Sequence, residues 1–234
     1  MRFFTLVLLA LFAAPFQANA ENSGIESITL VSVPEPLEYV TMNKGSAAGA
    51  LGAIGGALMA LDGYEKTKGL LGALARSKFS FSEQLTQDLS ATLGAGGYRV
   101  AMATADRGGR PDKLLDDYSA IWAASGESDA LLDVSVVNVG YSTEHFMFSP
   151  FWRPDVMVRA SLVLRTTGER LYEERIMYGY HNMFMSAVKL DTPKEYQFAD
   201  QDALNAADDA TLINGLKDAS RRIAAHIAEK MIKL

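Results

Sequence analysis

Three histidines are the side chains best suited to chemistry in this sequence, which contains no cysteine. His145 and His181 each lie in a segment rich in aromatic residues, and Glu144 precedes His145. Imidazole and carboxylate groups bind metals and transfer protons, so a hydrolase or metal-dependent enzyme using the edge at His145 and His181 is one hypothesis. It ranks third, because the two histidines lack the spacing of a metal-ligand motif. His226 falls near the polar boundary of a predicted helix and is interpreted as a surface residue.

Other patterns that resemble catalytic motifs have structural explanations. Ser125 and Ser128 flank a Gly-Glu pair without the strand, sharp turn and helix that surround a nucleophilic serine. The glycines at 94–97 follow a predicted helix and so end it, whereas a dinucleotide-binding loop follows a strand. The acidic pairs at 116–117 and 173–174 are interpreted as solvated. We therefore predict a protein that is not an enzyme, with no catalytic residue, no metal and no cofactor.

Aromatic and methionine residues crowd two connections of the chain, at 141–152 and 178–185. If the late strands form an antiparallel meander, both connections lie at the same end of the sheet. Aromatic, methionine and arginine side chains are enriched at protein interfaces, so this edge is either a small core or a surface for a partner or ligand. The predicted contact residues are Phe146, Phe148, Phe151, Trp152, Arg153, Tyr180 and Phe184.

A second candidate surface is the uncharged, glycine-rich segment 45–61. Gly45, Gly49, Gly52 and Gly56 form two GxxxG pairs, and small residues at this spacing let helix backbones approach closely. A helix of this length spans about 25 Å, slightly less than the apolar thickness of a bilayer. Three alternatives stay open: a helix or hairpin buried in the protein's own fold, a surface for self-association or a partner helix, or a segment inserted into a membrane. The small residues at 69–74 suggest a second helix.

The elements that must position these residues follow from periodicity. Alternating or β-branched runs predict strands at 25–33, 98–104, 130–141, 155–166 and 170–180. Helices are predicted from the capping residue Ser80 to the glycines at 94–97, from Pro111 to Trp122, and over 207–232. The predicted fold is α/β (α+β), a mixed sheet with a late antiparallel meander covered by helices, plus a Gly/Ala-rich helical segment or hairpin. We expect one domain over 21–234, with a glycine-rich insertion at 44–76.

The last hairpin permits a prediction of register. A three-residue turn around Gly168 keeps an apolar face intact on both strands and leaves Glu174 beside Leu162, with only a nearby arginine as a suggested partner. The predicted pairs are Leu164 with Tyr172, Ala160 with Ile176 and Val158 with Tyr178.

The first twenty residues have the pattern of a cleavable signal peptide. Arg2 is followed by an apolar stretch at 3–14, and Ala18-Asn19-Ala20 supplies the small residues of a cleavage site after Ala20. The alternative is an N-terminal membrane anchor, for which the stretch is short. A net charge of −6 gives no basic surface for nucleic acid. Together these features predict an exported, periplasmic protein.

Short phrases of the sequence support a resemblance. The order of elements, with GYRVAMATA, DALLDVSVVNVGY and the hairpin TTGERLYEE, resembles a group of bacterial envelope accessory proteins. These are the curli secretion lipoprotein, the lipoprotein activators of penicillin-binding proteins, and uncharacterised lipoproteins of similar size. The resemblance implies an α/β accessory domain that binds envelope components or self-assembles. This chain lacks their lipid-bearing cysteine, and no functional residue is carried over.

The leading hypothesis is therefore an exported, non-enzymatic accessory or assembly protein of the cell envelope, acting by protein–protein contact. Its partner would be an envelope protein or a second copy of this chain. The runner-up is an oligomeric, membrane-associating protein that inserts segment 45–61.

Overall fold

A computed structural model of the protein describes residues 24–43, 67–144, 149–179 and 186–233. They form a seven-stranded mixed sheet with helices packed on it, which confirms the predicted fold class and the late antiparallel meander. The predicted signal peptide at 1–20 and the glycine-rich segment 45–61 lie outside the described residues.

The sheet has the order β3-β1-β4-β5-β6-β7, and β2 pairs with β4 beyond the end of β1. Strands β1, β2 and β4 are parallel, β3 is parallel to β1, and β4 to β6 form the meander. The short strand β7 runs parallel to β6. The strands are β1 (Ser27–Val31), β2 (Tyr39–Asn43), β3 (Arg99–Ala103), β4 (Ala130–Glu144), β5 (Ser149–Leu164), β6 (Arg170–Tyr178) and β7 (Val188–Leu190).

Two long helices cover one face of the sheet. Ser80 caps α2 by accepting a hydrogen bond from the Glu83 amide, as the capping pattern predicts. The predicted apolar stripes of both helices are buried: Phe81, Leu85, Leu89 and Leu93 in α2, and Leu212, Leu216, Ala219, Ile223, Ile227 and Met231 in α5. The helices are α1 (67–77), α2 (Phe81–Ala95), α3 (Ser119–Ala124), α4 (Gln201–Ala206) and α5 (Asp209–Ile232), with a 3-10 turn at Lys194–Tyr196.

The predicted helix from Pro111 to Trp122 is wrong over most of its length. Only Ser119–Ala124 is helical, and residues 111–118 form a turn followed by irregular loop. Strand β4 occupies the backbone groups that a helix would need. The Leu115 amide donates to Asp133 at 2.8 Å, and the Val136 amide donates to the Pro111 carbonyl at 3.1 Å.

The predicted register of the last hairpin is also wrong, by two residues. Leu162 pairs with Tyr172 because the turn spans 165–169 and a bulge follows Leu162. A shift of two residues leaves every side chain on the same face of the sheet, so the predicted apolar face is intact. Glu174 consequently lies opposite Ala160.

Asp129 joins the start of β1 to the start of β4. Its Oδ2 accepts hydrogen bonds from the amides of Glu26 and Ser27, at 2.9 and 2.8 Å, and from the Ser27 hydroxyl at 2.7 Å. The Ser27 hydroxyl, followed by these amides, holds the pKa of the Asp129 carboxyl below its ordinary value.

This interaction makes part of the stability depend on pH. A depressed pKa means that the stabilising contribution is complete above pH 4 or so and is lost as the pH falls through the folded-state value. We expect Asp129→Asn to lower the free energy of unfolding by about 1 kcal/mol at pH 7 and much less at acid pH. Urea unfolding at pH 7 and pH 2 measures both values. An equal loss at the two pH values would contradict the assignment.

Candidate functional site

Strand β3 lies at one edge of the sheet that the described residues form. Among the described strands, β3 pairs with β1 alone. The Arg99 amide donates to the Glu26 carbonyl at 2.9 Å, and the Ser32 amide donates to the Ala103 carbonyl at 2.8 Å. In a parallel strand, the backbone groups of alternate residues hydrogen-bond to the same neighbouring strand. The N–H and C=O groups of residues 99, 101 and 103 therefore point to β1. The N–H and C=O groups of Val100 and Met102 therefore point to the open side, which we call the β3 edge.

A groove of about 440 Å³ lies next to the carboxyl end of this strand. Residues 102–106 form one side, and Ala120, Ile121 and Ala124 of α3 form the other. Residues 120 and 124 are one helical turn apart, so they present the same face of α3. Their methyl side chains leave open a volume that larger residues would fill. We call this feature the β3–α3 groove.

Apolar packing positions α3 over the sheet. Ile121 is buried with Val31 of β1 and Leu131 of β4, and Ala103 and Leu115 pack against the same cluster. This cluster lies on the sheet face opposite to α2 and α5, because Val31 and Leu131 alternate with Leu30 and Leu132, which belong to the main core. Packing therefore fixes the distance between α3 and the β3 edge.

Asp106 and Asp117 are the charged residues that line the groove. Asp117 accepts hydrogen bonds from the amide and the hydroxyl of Ser119, both at 2.8 Å. These two bonds lower the pKa of the Asp117 carboxyl, the amide contributing most. Asp106 accepts a hydrogen bond from the Gly108 amide at 2.8 Å. The mouth of an otherwise mainly apolar groove is therefore negatively charged.

A buried ion pair holds the connection between β3 and α3. Asp133 of β4 is fully buried and pairs with Arg107, whose side chain is 5% exposed. Arg107 also donates to the Lys113 carbonyl at 2.8 Å, and the Tyr118 hydroxyl donates to Asp133 at 3.2 Å. Burial and the charge of Asp133 raise the pKa of the Tyr118 phenol, which stays protonated as a donor. These bonds fix the wall of the groove before any ligand binds.

The aromatic edge is only partly described. Phe151 is 42% exposed and Arg153 is half-buried, whereas Trp152 is 3% exposed. Trp152 exchanges two backbone hydrogen bonds with Phe198, each 2.7 Å long, and its side chain packs in the main core. Phe146, Phe148, Tyr180 and Phe184 lie outside the described residues, as do Gly45, Gly49, Gly52 and Gly56. Both predicted surfaces stay predictions.

The interpretation of His226 as a surface residue is wrong. Its side chain is 14% exposed, and its Nε2 lies 2.9 Å from Glu174 Oε2. The Tyr172 hydroxyl donates to the same oxygen at 3.1 Å, and Lys230 Nζ lies 4.0 Å from the other oxygen. Glu174 therefore contacts a histidine, a tyrosine and a lysine, and not the arginine that the sequence suggested.

His145 and His181 lie outside the described residues. Within the ranges that the structure describes, no three histidine, aspartate or glutamate side chains are grouped as metal ligands. No helix in the same ranges has the length and apolarity to cross a bilayer.

Local sequence patterns do not predict the β3–α3 groove. The strand near 98–104 and the alanines of α3 were visible, but nothing in the local pattern shows that β3 is an edge strand. The ion pair between Arg107 and Asp133 is not predictable from the sequence either, because a lone aspartate within an apolar strand has no partner nearby in the sequence.

No protein-family model matches the chain, and no curated protein is similar to it in sequence. Among solved structures, a DUF330 protein from Xanthomonas campestris is 8% identical, with a TM-score of 0.43 over 87% of this chain and 82% of that chain. The PelC dodecamer from Paraburkholderia phytofirmans is 13% identical, with a TM-score of 0.39 over 88% and 86%. Lipoprotein GNA1162 from Neisseria meningitidis is 16% identical, with a TM-score of 0.26 over 69% and 84%.

One of these three proteins is named as a lipoprotein. All three TM-scores are below 0.5, so a function for this protein has to be inferred from its own residues.

Proposed function

We propose that this protein is an exported, non-enzymatic accessory or assembly protein of the bacterial cell envelope that acts by contact with another protein. Export follows from the predicted signal peptide at 1–20. The proposed contact site is the β3–α3 groove together with the β3 edge. The observation that carries this proposal is a strand edge with which no other described strand pairs, directly beside a groove whose wall is held by buried polar bonds.

The chemistry of the groove favours binding. Its lining is dominated by alanine, leucine, isoleucine and methionine, the composition of a contact surface with an apolar centre. Asp106 and Asp117 lie among these residues, and each already accepts hydrogen bonds from its own loop. Such fixed carboxylates act as charges that orient a partner.

Site-specific photocrosslinking in the cells that make the protein tests this proposal. A benzoylphenylalanine at position 104 lies at an exposed position that lines the groove, whereas position 123 is exposed on α3 and does not line it. We expect a discrete crosslinked product with an envelope protein from position 104, at least several-fold stronger than from the control at position 123. Equal crosslinking at both positions, or none at either, would count against the groove as the contact site.

A further inference from the structure

The β3 edge and the groove together specify how a partner binds. Building on the proposed function, we propose that the partner supplies an extended segment that adds to β3 as a new strand. One apolar side chain of this segment enters the β3–α3 groove, and a lysine or arginine lies near Asp106 and Asp117. The ligand is thus a basic, apolar, extended peptide of another protein.

Addition of a strand depends on the backbone polar groups of the β3 edge. Val100 and Met102 each offer one N–H and one C=O on the open side of β3, and together they can pair with the backbone of one added strand. Natural edge strands are usually protected by charges, prolines or a covering element. Only Arg99 of β3 is charged, and it lies 3.5 Å from Glu26, while residues 100–103 are uncharged and Met102 is 47% exposed.

Insertion of a side chain depends on the position of the groove. Alternate residues of a strand added to β3 project to opposite faces of the sheet. Those that project to the face covered by α3 meet the groove, whose volume of about 440 Å³ accommodates a branched or aromatic side chain. Backbone pairing and insertion of a side chain are therefore compatible in one bound segment.

Charge and size distinguish a foreign peptide from a second copy of this chain. The groove presents Asp106 and Asp117, and the whole chain carries a net charge of −6, so a basic segment is attracted and an acidic one is repelled. A second β3 paired antiparallel about a two-fold axis perpendicular to the sheet would place Ala101 and Ala103 toward the groove face, and these methyl groups are too small to fill it.

Random nine-residue peptides displayed on phage, selected on the full mature chain, test the proposal. We expect the enriched peptides to share an apolar residue followed or preceded by lysine or arginine. Synthetic copies should bind Met102→Pro at least about tenfold more weakly, because proline removes an outward N–H that β1 does not use. N-methylation of alternate peptide amides should cause a similar loss with the unaltered protein, which keeps the test valid if Met102→Pro fails to fold.

Charge variants supply a matched control. Asp106→Asn and Asp117→Asn retain the carbonyl that accepts from Gly108 and Ser119, so each removes charge with little change of structure. Together they should weaken binding about tenfold in low salt. Asp116→Asn changes the same charge at an exposed neighbour outside the groove and should leave binding unchanged.

The outcomes separate this inference from the proposed function. Ala124→Trp places an indole ring in the groove. If this variant blocks peptide binding, while N-methylation and Met102→Pro leave binding unchanged, strand addition is overturned and the groove remains a contact site. Peptides insensitive to Ala124→Trp would overturn the groove itself. Failure to enrich any peptide, enrichment of acidic peptides, or a dimer that Met102→Pro dissociates would overturn the proposed ligand.

Discussion

Replacing Gly140 with alanine is expected to lower the free energy of unfolding by about 3 kcal/mol or more, the upper range for overpacking. Gly140 of β4 pairs with Val40 of β2, and a Cβ at position 140 would lie 1.6 Å from the Val40 carbonyl oxygen and 2.7 Å from its carbonyl carbon. Both atoms are backbone, so no side-chain rotation relieves the clash. Strand β2 would have to move away from β4.

Urea unfolding gives the loss of stability, and hydrogen exchange of the amides at 39–43 shows whether β2 has detached. Gly94→Ala is the matched control, because nothing lies within 4 Å of a Cβ at this helical position. It should raise stability by about 0.5–1 kcal/mol, the ordinary difference between alanine and glycine in a helix. A Gly140→Ala protein as stable as the unaltered one would show that β2 is not held against β4 at this point.

Replacing Asp133 with asparagine is expected to cost about 3 to 5 kcal/mol, the effect of breaking a buried ion pair. The guanidinium of Arg107 would remain at a site where its side chain is 5% exposed, without a countercharge. Because this pair holds the wall of the β3–α3 groove, we also expect peptide binding at the groove to weaken. Chemical denaturation and peptide titration measure the two effects.

The double variant Arg107→Met with Asp133→Asn tests the cause of this loss. It removes both charges, and asparagine still accepts from the Leu115 amide, so most of the stability should return. Arg76→Met is the matched control at an exposed ion pair, in which Arg76 is 65% and Asp209 is 39% exposed. Its effect on the free energy of unfolding should be much smaller than that of Asp133→Asn, because solvent screens an exposed ion pair. Similar losses for Asp133→Asn and Arg76→Met would disprove the special role of the buried pair.

Local periodicity determined the long elements of this protein. The i, i+4 spacing of Leu85, Leu89 and Leu93 places them on one face of α2, and those residues are buried as expected. The capping of α2 by Ser80 depends on residues within one helical turn. Alternation also determined which side chains of β5 and β6 share a face. Each of these features depends on consecutive residues, so the sequence contains it.

The tertiary structure decided features that join distant segments. The register of β5 against β6 depends on a bulge and on the length of the turn, and the apolar pattern repeats every two residues, so it does not distinguish offsets of two. Residues 111–118 have a helical pattern, yet the Leu115 amide donates to the Asp133 carboxylate. This tertiary hydrogen bond replaces the one that the amide would make within a helix. The β3 edge and its groove exist only because no other described strand pairs with the open side of β3. The pairing of the whole sheet decides which strand lies at an edge, and short-range sequence patterns do not predict it.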